Sequence, residues 1–141
     1  MTKDELRTAI RGAGLRATHQ RVAVLGVLVA GTAPMSQVEV AARLVRARDR
    51  STIYRNLTAL AGAGLVDRVD VGDRVWRFEL HRPRHPHFVC VRCSAVTCLA
   101  AVELAGNRVR APRALERGEF EVYLRGVCDK CHQVARGTPT Q

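Results

Sequence analysis

Two C-x-x-C pairs constrain this chain more than any other feature: Cys90-Val-Arg-Cys93 and Cys128-Asp-Lys-Cys131. Zinc takes four ligands in a tetrahedron without d-electron preference, and each such knuckle can present two thiolates to one face of an ion. A fold that brings both pairs together forms a closed four-cysteine site. Such a site leaves no position open for water and is therefore structural. A redox switch built from the same pairs is the competing reading. The fifth cysteine, Cys98, is left over, either as a further ligand or as a small buried hydrophobe.

Around the first knuckle, "HPHFVCVRC" (85–93) sets two histidines beside two cysteines. Four ligands so close in sequence cannot all reach one ion without a severe bend of the backbone. In an extended strand, residues two apart share a side, so His85 and His87 can serve one ion while Cys90 and Cys93 serve another. The alternative is a hydrated basic loop. A zinc deaminase also uses C-x-x-C, but it needs an H-x-E motif and a proline ahead of the knuckle. Here Val89 and Val127 stand at those places, and the sequence contains no H-x-E, P-loop or nucleophile elbow. No enzyme and no small-molecule substrate are expected.

A chain of 141 residues suits one ordinary domain or two small ones, and small domains bury less apolar surface per residue, so two would need a staple. The net charge of +10 accompanies an ordinary 47% hydrophobic content, which describes a folded basic protein with a polyanionic partner. A solvated basic surface is the plainer alternative. The first ten residues carry early acidic groups and no apolar core, unlike a signal peptide. The longest mostly apolar run, Val22 to Ala30, is well short of the ~20 residues of a membrane span. A cytoplasmic location without membrane contact is expected, and reduced cysteines there are ligands before they are disulfides.

Thr2 and Glu5 fit a capping box that opens a short helix ending near "GAG", and a second helix is expected from Thr18 to Ala30. Ser36 and Glu39 repeat the box. Val38, Ala42 and Val45 then fall on one stripe of a third helix reaching about Arg46. In "DRSTIYRNLTALAGAGLV", Ile53, Leu57 and Leu60 form a buried stripe, and Gly62 and Gly64 are placed to stop the helix. Ser51, Arg55 and Thr58 occupy the opposite face, with Tyr54 on the flank. "LVDRVDVGDRVWRFEL" alternates around Gly72-Asp73 as a hairpin does. Helices followed by a hairpin give the winged helix-turn-helix order. Prolines and basic residues from Arg82 to His87 suit a linker. Beyond it, "HFVCVRC", "AVTCL" and "EFEVYLRGVC" read as strands, residues 100–118 as a helical region interrupted by Pro112, and "ARGTPTQ" as a loose tail.

The motifs "GLRATHQR", "STIYRNLTALAGAGLV", "FEL", "HPHFVCVRC" and "CDKC", in this order and spacing, resemble the ferric uptake regulator family of bacterial metal-responsive repressors from about Leu6 to His132. The resemblance implies an α+β chain: an N-terminal winged helix-turn-helix domain (1–81), a hinge (82–86), a small α/β dimerisation and metal-binding domain (87–135) and a flexible tail (136–141). It implies a structural zinc on Cys90, Cys93, Cys128 and Cys131, and a regulatory metal near the hinge on Glu79, His85, His87 and Cys98. Cys98 stands where many members have a carboxylate, and His81 can displace Glu79. Tyr54 and Arg55 match recognition-helix contacts and Arg16 a minor-groove contact. Arg21, Ser51 and Thr52 complete the expected DNA-facing set. Three departures accompany these matches. Pro34 replaces a histidine ligand of iron- and peroxide-responsive members, Arg84, Pro86 and Phe120 replace ligands of a further site, and the turn before "STIYR" is short.

A thiolate with two imidazoles and a carboxylate is a borderline-soft, four-coordinate set that suits zinc better than six-coordinate iron. The expectation is a homodimeric repressor of double-stranded DNA, responsive to Zn2+ as in the zinc uptake branch, with Fe2+ or Mn2+ as alternative regulatory metals. An iron- or peroxide-responsive regulator is the first rival. A zinc-stapled RNA-binding module is the second, disfavoured because such modules stack exposed aromatics and aromatics are only 4% here.

Overall fold

The computed structural model describes residues 1–45, 49–100, 113–117 and 120–136. The chain divides into two units, Met1–Arg82 and Pro83–Gln141. Among the described residues no helix is long and apolar enough to cross a membrane.

Among its described residues the first unit packs four helices against a small sheet: α1 (Lys3–Gly12), α2 (His19–Ala30), β1 (Met35–Ser36), α3 (Gln37–Arg43), α4 (Arg50–Gly62), β2 (Val66–Val69) and β3 (Arg77–Leu80). Both expected capping boxes form. The Thr2 N–H donates to Glu5 Oε2 at 2.6 Å and the Ser36 N–H to Glu39 Oε2 at 2.7 Å, satisfying donors that the first helical turn leaves over. Helices α1 and α4 end alike. Gly14 (φ 78°) and Gly64 (φ 73°) adopt the left-handed conformation that a Cβ disfavours. The next amides, of Leu15 and Leu65, reach back to the carbonyls of Ile10 and Leu60 at 3.0 Å. Those two leucines then pack on the core.

That core joins Leu6 and Ile10 of α1, Leu25 and Leu28 of α2, Val40 of α3, Ile53, Leu57 and Leu60 of α4, and Phe78 of β3. The α4 stripe is thus buried as its spacing requires. The α3 stripe is not: Val38, Ala42 and Val45 are all exposed, while Val40 is buried and Ala41 and Leu44 pack against the core. The helix carries apolar residues on both sides, so periodicity alone does not choose between them. The choice falls to β1, whose Met35 and Ser36 pair with Phe78 and Arg77 and set the helix's starting angle. The helix stops at Arg43, with Leu44 extended (ψ 127°), and the expected end at Arg46 lies outside the described residues. The sheet order is β1-β3-β2, antiparallel, with Asp67 opposite Glu79 and Arg68 opposite Phe78.

Among its described residues the second unit has a three-stranded sheet of order β5-β4-β6, with β4 (His87–Cys90), β5 (Val96–Cys98) and β6 (Tyr123–Gly126). β4 runs antiparallel to β5 and parallel to β6. A parallel pair needs a long crossover. Of the helical region expected at 100–118, the structure describes α5 (Arg113–Arg117), and its break at Pro112 lies outside the described residues. The strand read through "HFVCVRC" stops at Cys90, where the knuckle turns. A last helix, α6 (Asp129–Arg136), occupies residues 129–136 and takes in the start of what reads as a loose tail. It offers no apolar stripe to recognise, and its Val134 is exposed.

Candidate functional site

The turn after β4 and the start of α6 bring Cys90, Cys93, Cys128 and Cys131 together, with their sulfurs all within 4.8 Å of one another. None is in a disulfide. Cys93 Sγ and Cys128 Sγ are 3.8 Å apart. Arms of about 2.3 Å in a tetrahedron give sulfur–sulfur edges of about 3.8 Å, so this pair stands at the spacing that a zinc ion requires. The backbone supports the thiolate form. The amides of Cys128 and Arg92 point at Cys90 Sγ at 3.3 and 3.4 Å. Donation from the Cys128 backbone first, and the Cys93 backbone next, holds the Cys90 thiol down at about 6. Cys131 is pushed up to about 12, first by its hydrogen bond to the Cys128 sulfur and then by that to Cys93, because a thiol that donates to neighbouring sulfurs gives up its proton less readily. A divalent cation removes that conflict, since a coordinated thiol is deprotonated outright.

On the same sheet His87 lies opposite Cys98 on β5 and opposite Tyr123 on β6. Neighbours in register share a face, so this pairing places the thiol beside the imidazole. His85 precedes the strand, and its ring centroid is 4.6 Å from that of His87. The ligand atoms of His85, His87 and Cys98 fall within 4.8 Å of one another. Two imidazoles and a thiol form a borderline-soft donor set suited to a transition metal. The orientation of His85 is set behind it. Its Nδ1 lies 3.0 Å from the Pro83 carbonyl, so Nδ1 carries the proton and Nε2 the lone pair of the neutral ring. Tyr123 stacks on His87 at 5.8 Å with rings 21° apart, and its hydroxyl donates to Glu121 Oε2 at 3.0 Å. The sequence reading missed Tyr123, because strand pairing is not visible in spacing. Two residues at the positions of the further site are tied to each other: Arg84 Nη1 donates to the Phe120 carbonyl at 3.0 Å.

In the first unit Glu79 is a buried residue of β3 and accepts from Arg82 at 3.3 Å. His81 turns its Nδ1 to the Asp67 carboxylate at 2.9 and 3.0 Å. On α4, Arg55 is exposed and Tyr54 is 37% exposed, the latter set edge-on against the buried Phe78 at 6.4 Å. Asp49, also missed in the sequence, caps the helix, with Oδ1 accepting the Thr52 N–H and the Ser51 hydroxyl, each at 2.6 Å. Ser51 and Thr52 thereby order the first turn beneath Arg55, whose Nη2 reaches Thr52 Oγ1 at 3.3 Å. Asn56 is buried and donates to the Thr52 carbonyl at 3.0 Å. Arg16 is exposed, while Arg21 donates to its carbonyl at 2.6 Å and so braces the turn that presents it.

Comparison with known proteins agrees with these features. A peroxide-responsive repressor of Staphylococcus epidermidis is 26% identical over 137 residues, covering 92% of this chain and 90% of its own. Among solved structures, the Vibrio cholerae ferric uptake regulator superposes with a TM-score of 0.67 at 24% identity, covering 86% of this chain and 98% of that one. A zinc uptake regulator complexed with zinc and DNA gives 0.58 at 22% identity, covering 96% and 99%. The profile of the ferric uptake regulator family matches residues 12–117, most of the chain, which therefore belongs to that family of metal-responsive transcriptional regulators.

Proposed function

We propose that this protein is a zinc-responsive repressor that binds an inverted-repeat operator in double-stranded DNA as a homodimer. The observation that carries the reading is a thiol, Cys98, set beside the imidazoles of His85 and His87. The family resemblance names Glu79 as the carboxylate that completes this regulatory set. The four cysteines serve as a separate, structural zinc site. Tyr54 and Arg55, on the outer face of a capped helix, are the residues proposed to read base edges, with Arg16 directed to the minor groove. The zinc uptake regulator among the structural relatives is the precedent for zinc and DNA together.

A second reading makes iron or peroxide the signal, and the peroxide-responsive relative spanning nearly the whole chain favours it. One experiment separates them. Protein stripped of its labile metal is titrated with buffered zinc, ferrous iron or manganese, and duplex binding is followed by anisotropy. Zinc is expected to restore binding in the parent and to fail in Cys98→Ser, while that variant stays folded with its structural zinc. A normal zinc response in Cys98→Ser, with iron alone activating the parent, would hand the assignment to the rival.

A further inference from the structure

We infer that the first unit holds a small-molecule site, a crevice between α2, the end of α3 and the start of α4 that takes an apolar carboxylic acid of the medium-chain fatty acid class. All its described lining residues belong to the first unit, so it depends on neither metal site. From Val22 to Ala30 every residue of α2 except Gly26 carries an apolar side chain. A helix that is apolar all round is ordinarily buried all round. Here Val22, Leu25 and Leu28 enter the core, while Ala23, Gly26, Val27 and Ala30 share another stripe and face a cavity of about 800 Å³. That volume falls in the ~300–1,000 Å³ range of small-molecule sites. The stripe recedes because its residues are small. Leu6 backs it, since a Cβ on Gly26 would meet Leu6 Cδ1 at 3.4 Å. Leu44 after α3 and Ile53 of α4 complete the apolar walls.

The polar groups of the crevice select the class of ligand. Lys3 of α1 and Arg43 at the end of α3 both line it, and neither has an ion pair among the described residues. No acid stands among the described lining residues. The acids nearby in sequence are engaged elsewhere: Asp4 pairs with Arg7 at 2.9 Å, Glu5 accepts the Thr2 N–H at 2.6 Å, and Asp49 caps α4. The charge at the crevice is thus of one sign. Asn56 lines the same cavity and is 8% exposed. One of its N–H groups donates to the Thr52 carbonyl at 3.0 Å, and its oxygen and second N–H have no partner among the described residues. A buried amide in this condition costs stability until something in the crevice hydrogen-bonds it. A carboxylate accepts from cations and amides alike, while an alkyl chain covers Ala23, Val27 and Ile53. An apolar protein segment would leave Asn56 and the cations unmatched, and a polyanion would leave the apolar walls wet.

Zinc-loaded full-length protein with labelled methyl groups is titrated with hexanoate, octanoate and decanoate, with decanol and with acetate, each below its micelle threshold. We expect decanoate to shift the methyls of Ala23, Val27 and Ile53 saturably, one molecule per chain, and to raise the melting temperature. Affinity should climb about fourfold per methylene from hexanoate to decanoate, as for burial of one CH₂. Decanol should bind about tenfold more weakly than decanoate, and acetate should leave the methyls unmoved. Ala23→Leu keeps a good helix former and fills the crevice, so it should lose most binding of decanoate and decanol alike. The exposed pair Lys3→Gln and Arg43→Gln should instead weaken decanoate toward decanol and leave decanol unchanged. Circular dichroism of each variant checks the fold. Undiminished decanoate binding in folded Ala23→Leu, or shifts spread over both units without saturation, would overturn the site. Equal binding of decanol and decanoate would overturn the acid as its ligand. Shifts of the same methyls on concentrating the protein alone would assign the face to a second copy of the chain and overturn the proposal.

Discussion

At Asp49 a single carboxylate decides whether the first turn of α4 is ordered. The Ser51 hydroxyl, and after it the Thr52 amide, hold its pKa down at about 2 against an ordinary 3.8. Because the folded value lies below the unfolded one, the stabilisation is fully present above about pH 4 and is lost as pH falls through about 2. Residues 51–55, the expected DNA-facing turn, hang from this cap. The carboxyl carbon of Asp49 should therefore titrate near 2 by NMR, with exchange of the Thr52 amide rising over the same interval. Asp49→Asn keeps an acceptor at the cap and should remove that pH dependence without melting the helix. A midpoint at 3.8 in the parent would mean that the cap does not form in solution. Cys98 is a contrasting case, since its weight comes from neighbours rather than from its own bonds. A thiol in that place selects a softer ion than a carboxylate would, provided both imidazoles stay beside it.

Elements differ in how much of their position is written locally. The second unit is small, and its knuckles sit at the end of β4 and the start of α6, whose Val134 is exposed. Structural zinc in finger peptides contributes ~10–16 kcal/mol of apparent binding energy, as much as the ~5–15 kcal/mol that stabilises a whole domain. Cys93→Ser is thus expected to yield zinc-poor protein whose second unit is unfolded or aggregated, read by zinc content and by amide exchange in β4 and β6. A fully zinc-loaded, well-folded variant would refute the four-cysteine site. The capping boxes, the two glycine helix stops and the α4 stripe were legible because each is a rule within a few residues. The inward face of α3 was not, since β1 sets it through Phe78 and Arg77, far away in sequence. Helix α6 escaped for a related reason: it is anchored by a cysteine rather than by an apolar face. The His85, His87 and Cys98 grouping was only half visible. The family resemblance names Cys98 with both histidines, but residue spacing alone gives only the histidine pair, because the place of Cys98 opposite His87, and of Tyr123 behind it, belongs to sheet register.

For the whole molecule the basic charge and the proposed two-fold operator pull in different directions. A chain with net charge +10 attracts any duplex, and this sequence-independent binding falls steeply with salt. A dimer reading an inverted repeat gains in addition from two recognition helices spaced about one helical turn, or a multiple of it, apart. In the proposed switch, zinc would act only through whatever difference in affinity it has for the DNA-competent form. Moving a switch from mostly off to mostly on takes about 5.5 kcal/mol, or about 10,000-fold. At low salt the non-specific background should hide much of that factor, so stripped and zinc-loaded protein should bind alike. Raising the salt should open the gap between them on a duplex selected from a randomised pool and leave little binding to a scrambled one. Within the selected duplex, inserting about half a helical turn between the half-sites should cost most of the specific affinity, because the second helix then faces the wrong side, and a full-turn insertion should recover part of it. Anisotropy at several salt concentrations, with sedimentation to count chains per duplex, reads all of this. Equal affinity for the parent repeat, the half-turn insertion and a single half-site would show that the protein does not bind as a two-fold dimer.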